Sequence, residues 1–440
     1  MKRNTLDLMR CPYCGSKFRL AQIYEEVANE INYAVIKCNC NEFPILSGIL
    51  MMKEGLIKHH ILKYLKAGMN EKAISLALGP GGEDIFRISD YLESGGLLLN
   101  NLNKIYTFFI EILMQNITKD YRNDSPSFFS LPEPVYFKHR FSSETLWLSY
   151  PFMKVLEPCK DRILELGCGR GHMSFIISQY LVPRELFCAD RTFKSLYTLK
   201  KYFSSDAQCI CLDANYSLPF VDRAFDSIIM SDSFHYVFDR SNLAKEMVRI
   251  KSKNGLILLL HLHNSLANNI AAGYGLKPKE WISLLGLSDQ EVRAFPEGML
   301  IKDFLYNDIL DLSQKYSEAE LDSDSSIAIM ATNDASLYKI YSEVDSILFQ
   351  EKGHYVINPL YIVKQEKKRL IFKKNYPCDS LRIEYPIAEE YMPSIYEVTD
   401  EISLIFDLNG SPLSNLDTNE ELIKKMVKRF IVINVPKLYL

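Results

Sequence analysis

The chain has 440 residues, of which 48% are hydrophobic and 24% charged, a composition that excludes wholesale disorder and supplies enough apolar surface for a folded core. Its 51 basic residues nearly balance 55 acidic ones, and a formal net charge of -4 provides no general positive field that would favour a nucleic-acid partner. No run approaches the roughly 20 apolar residues that cross a bilayer, so we expect a cytoplasmic protein that does not enter membranes.

The pattern along the chain predicts several modules, since one hydrophobic core rarely organises more than about 250 residues. We expect a small β module at 1–55, a helical linker or cap at 56–150, an α/β core at 151–344 and an α+β accessory module at 345–440. Apolar residues at helical spacing in 59–69 and 106–114 indicate the helices of the second segment.

Four cysteines mark the first segment. Cys11-x-x-Cys14 precedes a β-like run, and Cys38-x-Cys40 follows it. Four thiolates suit a tetrahedral zinc ion, and a module this small needs a stabilising metal because it lacks a large core. Such a zinc ion would be structural, since four thiolates leave no open coordination position. The alternative is four free thiols in a reducing compartment.

The first segment is similar to a known family. The stretch from Cys11 through the run FPILSGIL resembles the zinc-ribbon activator family of translation-related methyltransferases, which also occurs fused to bacterial methyltransferases. Leu50 stands where that family usually has a proline, and the Cys-x-Cys pair is one residue shorter than the usual pair.

Short apolar runs alternate with amphipathic helical stretches from residue 161 onward. This alternation predicts an α/β fold with a Rossmann-like, doubly wound, mostly parallel sheet. We predict strands at 162–166, 185–189, 208–212, 226–231 and 255–260, and a late edge strand at 326–332. The complete fold prediction adds the N-terminal β zinc ribbon, the helical cap and the C-terminal α+β module to this core.

A glycine-rich turn follows the first of these strands. Residues 163–171 read ILELGCGRG, so Glu165 is followed by Gly167, Gly169 and Gly171 at alternate positions. A tight turn between strand and helix needs unusual dihedral angles, and a ligand lying on the backbone needs positions without side chains. Each glycine taken alone could simply form a turn, because dehydrogenases and other nucleotide-binding proteins share such loops.

Two acids follow at the ends of the next two strands. Asp190 comes where a carboxylate can accept hydrogen bonds from both hydroxyls of a ribose, and Asp213 comes where it or the adjacent backbone can meet the amine of an adenine. The carboxyl ends of neighbouring parallel strands open onto one crevice, so these acids are expected to share one ligand.

Taken together, these residues resemble class I methyltransferases that use S-adenosylmethionine (SAM). The resemblance extends through 212–237 and 244–260 in the order of that family. It implies that Glu165 and the glycine loop, including Cys168, hold the methionine part of SAM. It likewise assigns the ribose to Asp190 with Arg191, the adenine to Asp213 with Ala214, and the start of the substrate-facing loop to Ser231.

Methyl transfer to a hydroxyl or amine requires removal of a proton, and histidine is the usual base near neutral pH. His235 follows the fourth strand and is the first candidate for a catalytic base, although the family often uses a histidine there for packing. Other residues that could line the crevice are Asp232, Tyr236, His261 and His263; for the two histidines we favour a buried, hydrogen-bonded role. Three residues before the core have two interpretations: they could form part of a lid, or they could lie on a solvated helix face. They are Tyr136, His139 and Arg140.

The last segment contains a predicted hairpin at 361–372 and a helix running into a strand at 419–433. The stretch that begins at 403–413 and ends in this strand faintly resembles small winged-helix modules that hold peptides, which would suit a carrier or peptide partner. The leading functional hypothesis is methylation of an O, N or C nucleophile of a small molecule or specialised metabolite. The alternatives are methylation of ribosomal or transfer RNA, with the basic stretch 364–374 as a contact, and a non-catalytic SAM-binding or peptide-binding scaffold.

Overall fold

The computed structural model describes residues 1–78, 134–267, 273–349, 354–366, 369–399, 420–437 and 439. The patterns noted at 106–114 and 403–413 lie outside these residues, and so does the side chain of Tyr136. Within the described part, eleven strands form one sheet.

The middle of this sheet is parallel, as predicted. Its strands are β5 (Arg162–Leu166), β6 (Glu185–Asp190), β7 (Gln208–Cys211), β8 (Phe225–Ser231) and β9 (Lys251–His263). Ladders join β5 to β6 and to β8, β6 to β7, and β8 to β9, all in parallel. Most of their residues are buried on both faces because helices cover both sides, which confirms the Rossmann-like arrangement.

The N-terminal strands extend the same sheet. They are β1 (Arg19–Val27), β2 (Glu30–Lys37), β3 (Glu42–Leu46) and β4 (Ile49–Met51), joined in antiparallel order. Strand β4 then pairs in parallel with β7, with Ile49 opposite Cys209 and Met51 opposite Cys211. The cysteine-bearing module is therefore joined to the α/β sheet by backbone hydrogen bonds.

The far side of the sheet differs from one expectation. Strand β12 (Ser326–Thr332) was predicted as the edge strand, but it lies between β9 and β10 (Val292–Pro296) and pairs with both in antiparallel register. All seven residues of β12 are buried, as expected for an inner strand. Strand β10 takes the edge, where Pro296 needs no ladder partner for a backbone N–H.

Helices and turns pack on both faces of the sheet and bury two hydrophobic clusters. Ile163 lies in one cluster and Leu164 in the other, as the alternation of side chains along a strand requires. The helices before β10 are α1 (Leu56–Lys66), α2 (Asn70–Leu78), α3 (Pro134–His139), α4 (Glu144–Trp147), α5 (Ser149–Leu156), α6 (His172–Tyr180), α7 (Phe193–Thr198), α8 (Arg240–Ile250) and α9 (Pro278–Leu284).

Further helices are α10 (Glu297–Lys302), α11 (Glu318–Ser323), α12 (Asp379–Glu384), α13 (Pro386–Tyr391) and α14 (Glu420–Lys428). Short 3-10 helices lie at Arg3–Leu8, Arg140–Ser142, Glu157–Cys159, Phe234–Tyr236, Ala335–Leu337 and Val344–Leu348. Leu199–Phe203 and Asp303–Asn307 are π-helical turns.

Smaller sheets complete the C-terminal part. The pairs are β11 (Ile309–Asp311) with β13 (Ile340–Ser342), and β14 (His354–Ile357) with β18 (Val432–Val435). The predicted hairpin is β15 (Tyr361–Glu366) with β16 (Arg369–Lys374), to which β17 (Ile395–Thr399) adds. Helix α14 leads into β18, as the pattern at 419–433 predicts.

The C-terminal part packs on residues 140–147, next to the ends of the parallel strands. Trp147 stacks on Phe430 with ring centroids 3.8 Å apart, and Glu144 accepts a hydrogen bond from the backbone N–H of Ala388. Ser142 donates to Asn358 at 2.8 Å. Residues 140–147 are thereby held between the α/β core and the C-terminal part.

Each helix of the described residues is too short or too polar to cross a bilayer.

Candidate functional site

A cavity of about 540 Å³ opens at the carboxyl ends of the parallel strands. This is the place where open α/β sheets bind ligands, because loops from adjacent strands diverge there. Nine of the ten residues assigned to the cofactor from the sequence line this cavity: Glu165, Gly167, Cys168, Gly169, Asp190, Arg191, Asp213, Ala214 and Ser231.

The glycine loop gives the cavity a wall of bare backbone. Gly167 and Gly169 have φ angles of +68° and +52°, a region that other residues adopt only with strain. A Cβ atom on Gly169 would have nothing within 4 Å, so this glycine faces open space. A Cβ on Gly171 would lie 2.6 Å from Leu199, so Gly171 packs against the core and does not line the cavity.

Asp190 holds the glycine loop in place. One of its carboxylate oxygens accepts the N–H of Gly169 at 2.9 Å, and the other accepts the N–H of Thr192 at 2.8 Å. Asp190 also lines the cavity, so it fixes the glycine loop from within the cavity wall.

Glu165 lies deeper, at the base of the glycine loop. Its side chain is buried and accepts a hydrogen bond from Ser174 at 2.5 Å. Burial raises the pKa of Glu165 to about 8, and the charge of Asp190 acts in the same direction while the Ser174 hydrogen bond opposes it. A cationic group entering the cavity would favour the ionised form of this carboxyl group.

The opposite wall is organised by Asn215. Asp213 accepts from the backbone and side-chain nitrogens of Asn215 at 2.9 and 2.7 Å. The side-chain oxygen of Asn215 accepts in turn from the N–H groups of Phe238 and Asp239. These bonds tie the loop after β7 to the loop after β8, so the two sides of the cavity are connected.

Ser231 ends β8 and carries a buried polar atom. Its Oγ is buried and has no hydrogen-bond partner among the described residues. A buried hydroxyl without a partner is uncommon in proteins, and this one is in the cavity wall. Its hydroxyl therefore lies just behind the cavity surface.

His235, the candidate base, is placed differently from the cofactor residues. It is fully buried, does not line the cavity, and stacks on His263 with ring centroids 3.8 Å apart. Burial, with a contribution from His263, lowers the pKa of His235 to about 3, so the ring is neutral near pH 7. Asp232 and Tyr236, from the same loop, do line the cavity.

Asp232 belongs to a cluster of charged groups at the edge of the cavity. Arg140 forms an ion pair with Asp232 at 3.0 Å, and His261 contacts Glu297 at 2.9 Å. Burial alone would raise the pKa of Asp232, but Arg140 and the neighbouring histidines hold it below its ordinary value. Arg140 is predicted from the sequence as part of a lid or a solvated helix face. No sequence pattern indicates Glu297, Thr192 or Asn215, because their roles depend on contacts between distant segments.

The four N-terminal cysteines meet in space. Their sulfur atoms all lie within 4.8 Å of one another, and Cys40 is 3.6 Å from Cys11 and 3.5 Å from Cys38. A tetrahedral zinc ion with bonds of about 2.3 Å places its sulfur ligands about 3.8 Å apart. None of the four forms a disulfide, so the arrangement fits a zinc ion.

Comparisons with known proteins agree with this geometry. Residues 164–259 match the model of a family described as "Methyltransferase domain". A demethylmenaquinone methyltransferase from Thermotoga maritima is 26% identical over 147 residues, covering 33% of this chain and 63% of the relative. A mitochondrial arginine-hydroxylase, NDUFAF5 of Danio rerio, is 30% identical over 95 residues, covering 22% of this chain and 29% of the relative.

Among solved structures, the YcgJ protein from Bacillus subtilis is 18% identical, with a TM-score of 0.31, and covers 42% of this chain and 97% of its own. The matches to the two curated relatives are shorter: this chain spans less than two thirds of the length of each.

Proposed function

We propose that this chain is a SAM-dependent methyltransferase acting on a small molecule. The proposal starts from the match of residues 164–259 to a methyltransferase domain. The observation that carries the proposal is the bare backbone of Gly169, which faces the cavity and is fixed by Asp190. The cavity volume of about 540 Å³ falls in the range of small-molecule sites.

The donor set of the cavity suits SAM. Glu165 and the glycine loop would hold its methionine part, since an ionised Glu165 would attract a cation. Asp190 would accept hydrogen bonds from the ribose, and Asp213 with Ala214 would meet the adenine. When bound, SAM supplies a methyl group activated by a positively charged sulfur.

The acceptor would enter beside Ser231, Asp232 and Tyr236, on the wall that the cofactor residues leave open. The protein's main contribution to such a transfer is to hold the acceptor atom near the methyl carbon, at about 3 Å. Asp232 is a weak base because Arg140 keeps its pKa low, so it would orient an acceptor hydroxyl or amine. His235 would act by packing behind this wall, since the cavity does not reach it.

We also propose a structural zinc ion on Cys11, Cys14, Cys38 and Cys40. The spacing of the sulfur atoms supports it, and four thiolates leave no position for catalysis. Because β4 pairs with β7, this ion would stabilise one end of the sheet that carries the cavity.

The C-terminal part is a candidate for a peptide or carrier partner. Its packing on residues 140–147 supports the idea, because Arg140 lies in the cavity wall while Trp147 contacts Phe430. A partner bound there would be close to the acceptor side of the cavity.

The test uses the purified full chain, radiolabelled SAM and a cell extract, with Gly169→Arg as the matched control. We expect a labelled product of low mass in the wild-type reaction and none with the variant. Label found only in RNA would refute the small-molecule acceptor and support the RNA alternative. Calorimetric binding of SAM without labelling of any fraction would support the non-catalytic scaffold.

A further inference from the structure

Three potential metal ligands converge at the edge of the cavity. Asp232, His261 and His263 each present a ligand atom, and these atoms all lie within 4.8 Å of one another. Asp232 follows β8, whereas both histidines lie at the end of β9, which pairs with β8 in parallel. The sheet therefore brings the three residues to one point.

Glu297 fixes the orientation of His261. It accepts the backbone N–H of His261 at 2.5 Å and contacts the ring Nδ1 at 2.9 Å, and its side chain is buried. With Nδ1 bonded to Glu297, Nε2 is the nitrogen left for a further ligand. A carboxylate behind a histidine in this way is the usual second partner of a metal-binding imidazole.

His263 adds an unsatisfied nitrogen. The residue is 2% exposed, and its Nε2 is buried without a hydrogen-bond partner among the described residues. A buried polar nitrogen that lacks a partner costs stability unless something else binds it. A metal ion held jointly with Asp232 and His261 would satisfy it.

The backbone at this point is strained. Asp232 and His261 have φ angles of +52° and +56°, in the left-handed region that residues other than glycine rarely adopt. The N–H of Asp232 donates to the carbonyl of Leu260, so the two strained residues lie side by side. Such strain collects at functional sites, where it holds ligands in position.

We propose that Asp232, His261 and His263 bind one divalent transition-metal ion, such as Mn²⁺ or Fe²⁺. Two imidazoles and a carboxylate on one side of an ion leave the remaining positions open. Asp232 lines the cavity, so an ion bound to it would adjoin the acceptor side, where it would bind an oxygen of a hydroxylated or carboxylated molecule. Arg140 contacts Oδ2 of Asp232, which leaves Oδ1 as the ligand atom, and the Nε2 of His235 lies 3.7 Å from Oδ1.

An ion-pair network without a metal is the competing explanation. In it, Arg140 and a protonated His261 would balance Asp232 and Glu297. This network explains the contacts of His261 but leaves the Nε2 of His263 unsatisfied. Metal binding separates the two explanations, and its measurement does not depend on whether the chain binds SAM.

The experiment titrates Mn²⁺ into the purified full chain, which is first dialysed against a chelator too weak to strip thiolate-bound zinc. Electron paramagnetic resonance counts the free Mn²⁺. Mn²⁺ prefers oxygen and imidazole ligands to thiolates, so it reports this site and not the cysteines. We expect one ion per wild-type chain, and at least tenfold weaker binding in His263→Gln and in Asp232→Asn.

His172→Gln is the matched control, because His172 is also a buried histidine of the cavity region but lies outside the cluster. It should bind Mn²⁺ like the wild type. The proposal is overturned if the wild-type chain binds neither Mn²⁺ nor Co²⁺ beyond the cysteine site, or if His263→Gln binds as His172→Gln does. If circular dichroism shows that His263→Gln does not fold, the Mn²⁺ affinity of the nearly isosteric Asp232→Asn is compared with that of His172→Gln instead.

Discussion

Two glycines of the same loop should respond differently to alanine. Gly169 and Gly171 have φ angles of +52° and +97°, so alanine at either position carries a backbone cost of about 1–2 kcal/mol. At Gly169 the added Cβ meets nothing within 4 Å, and the backbone term is the whole cost. At Gly171 the Cβ lies 2.6 Å from Leu199 in the core, and overpacking adds about 1–3 kcal/mol.

Gly169→Ala should therefore lose about 1–2 kcal/mol of unfolding free energy, and Gly171→Ala about 2–5 kcal/mol. For SAM binding, Gly169→Ala should be the more damaging of the two variants, because only its added methyl group enters the cavity. We expect it to weaken SAM binding at least tenfold, about 1.4 kcal/mol.

Urea denaturation measures the stabilities, and isothermal titration calorimetry measures the SAM affinities of the variants that fold. Equal stability losses for the two variants would contradict the packing assigned to Gly171. Wild-type affinity in Gly169→Ala would contradict the assignment of the bare backbone to the cofactor.

Further predictions concern pH, metal and packing. Burial raises the pKa of Glu165 to about 8, so a bound cation must displace the proton of this carboxyl group. SAM affinity should therefore rise as pH increases from 6 to 8 and then level off. Calorimetry of Glu165→Gln should show no such rise. Cys38→Ser should lose zinc by mass spectrometry and lower the melting temperature, and unchanged metal content would exclude a thiolate site. Trp147→Ala should cost about 3–5 kcal/mol in urea denaturation, because it removes the stack on Phe430; a loss below about 1 kcal/mol would mean that the C-terminal part is not held there.

The central strands could be predicted from the sequence because each contains a short apolar run and these runs alternate with helical patterns. The edge of the sheet could not be predicted in this way. Strand β10 has Arg293 in its interior and ends in Pro296, and a proline argues against a strand because it has no backbone N–H for a ladder. Without it, β12 was wrongly placed at the edge. The pairing of β4 with β7 was also hidden, because three apolar residues do not reveal their partner.

The cofactor wall was more predictable than the acceptor wall. Its glycines and acids follow from the dihedral angles and acceptor groups that a nucleoside ligand needs, and these are local properties of a strand and its turn. The bond between His261 and Glu297 joins residues 36 positions apart, and no local pattern indicates it. Likewise, His235 follows its strand at the expected place, yet its burial depends on His263 from another strand.

The most direct test of the account is calorimetric titration of the purified full chain with SAM and with its demethylated product. We expect both to bind at one equivalent per chain, and we expect Gly169→Arg, with wild-type circular dichroism, to give no binding heat, because its side chain would fill the space that Gly169 leaves open. A folded wild-type protein that binds neither compound, or a Gly169→Arg protein that binds SAM as the wild type does, would contradict the claim that this cavity is a cofactor site.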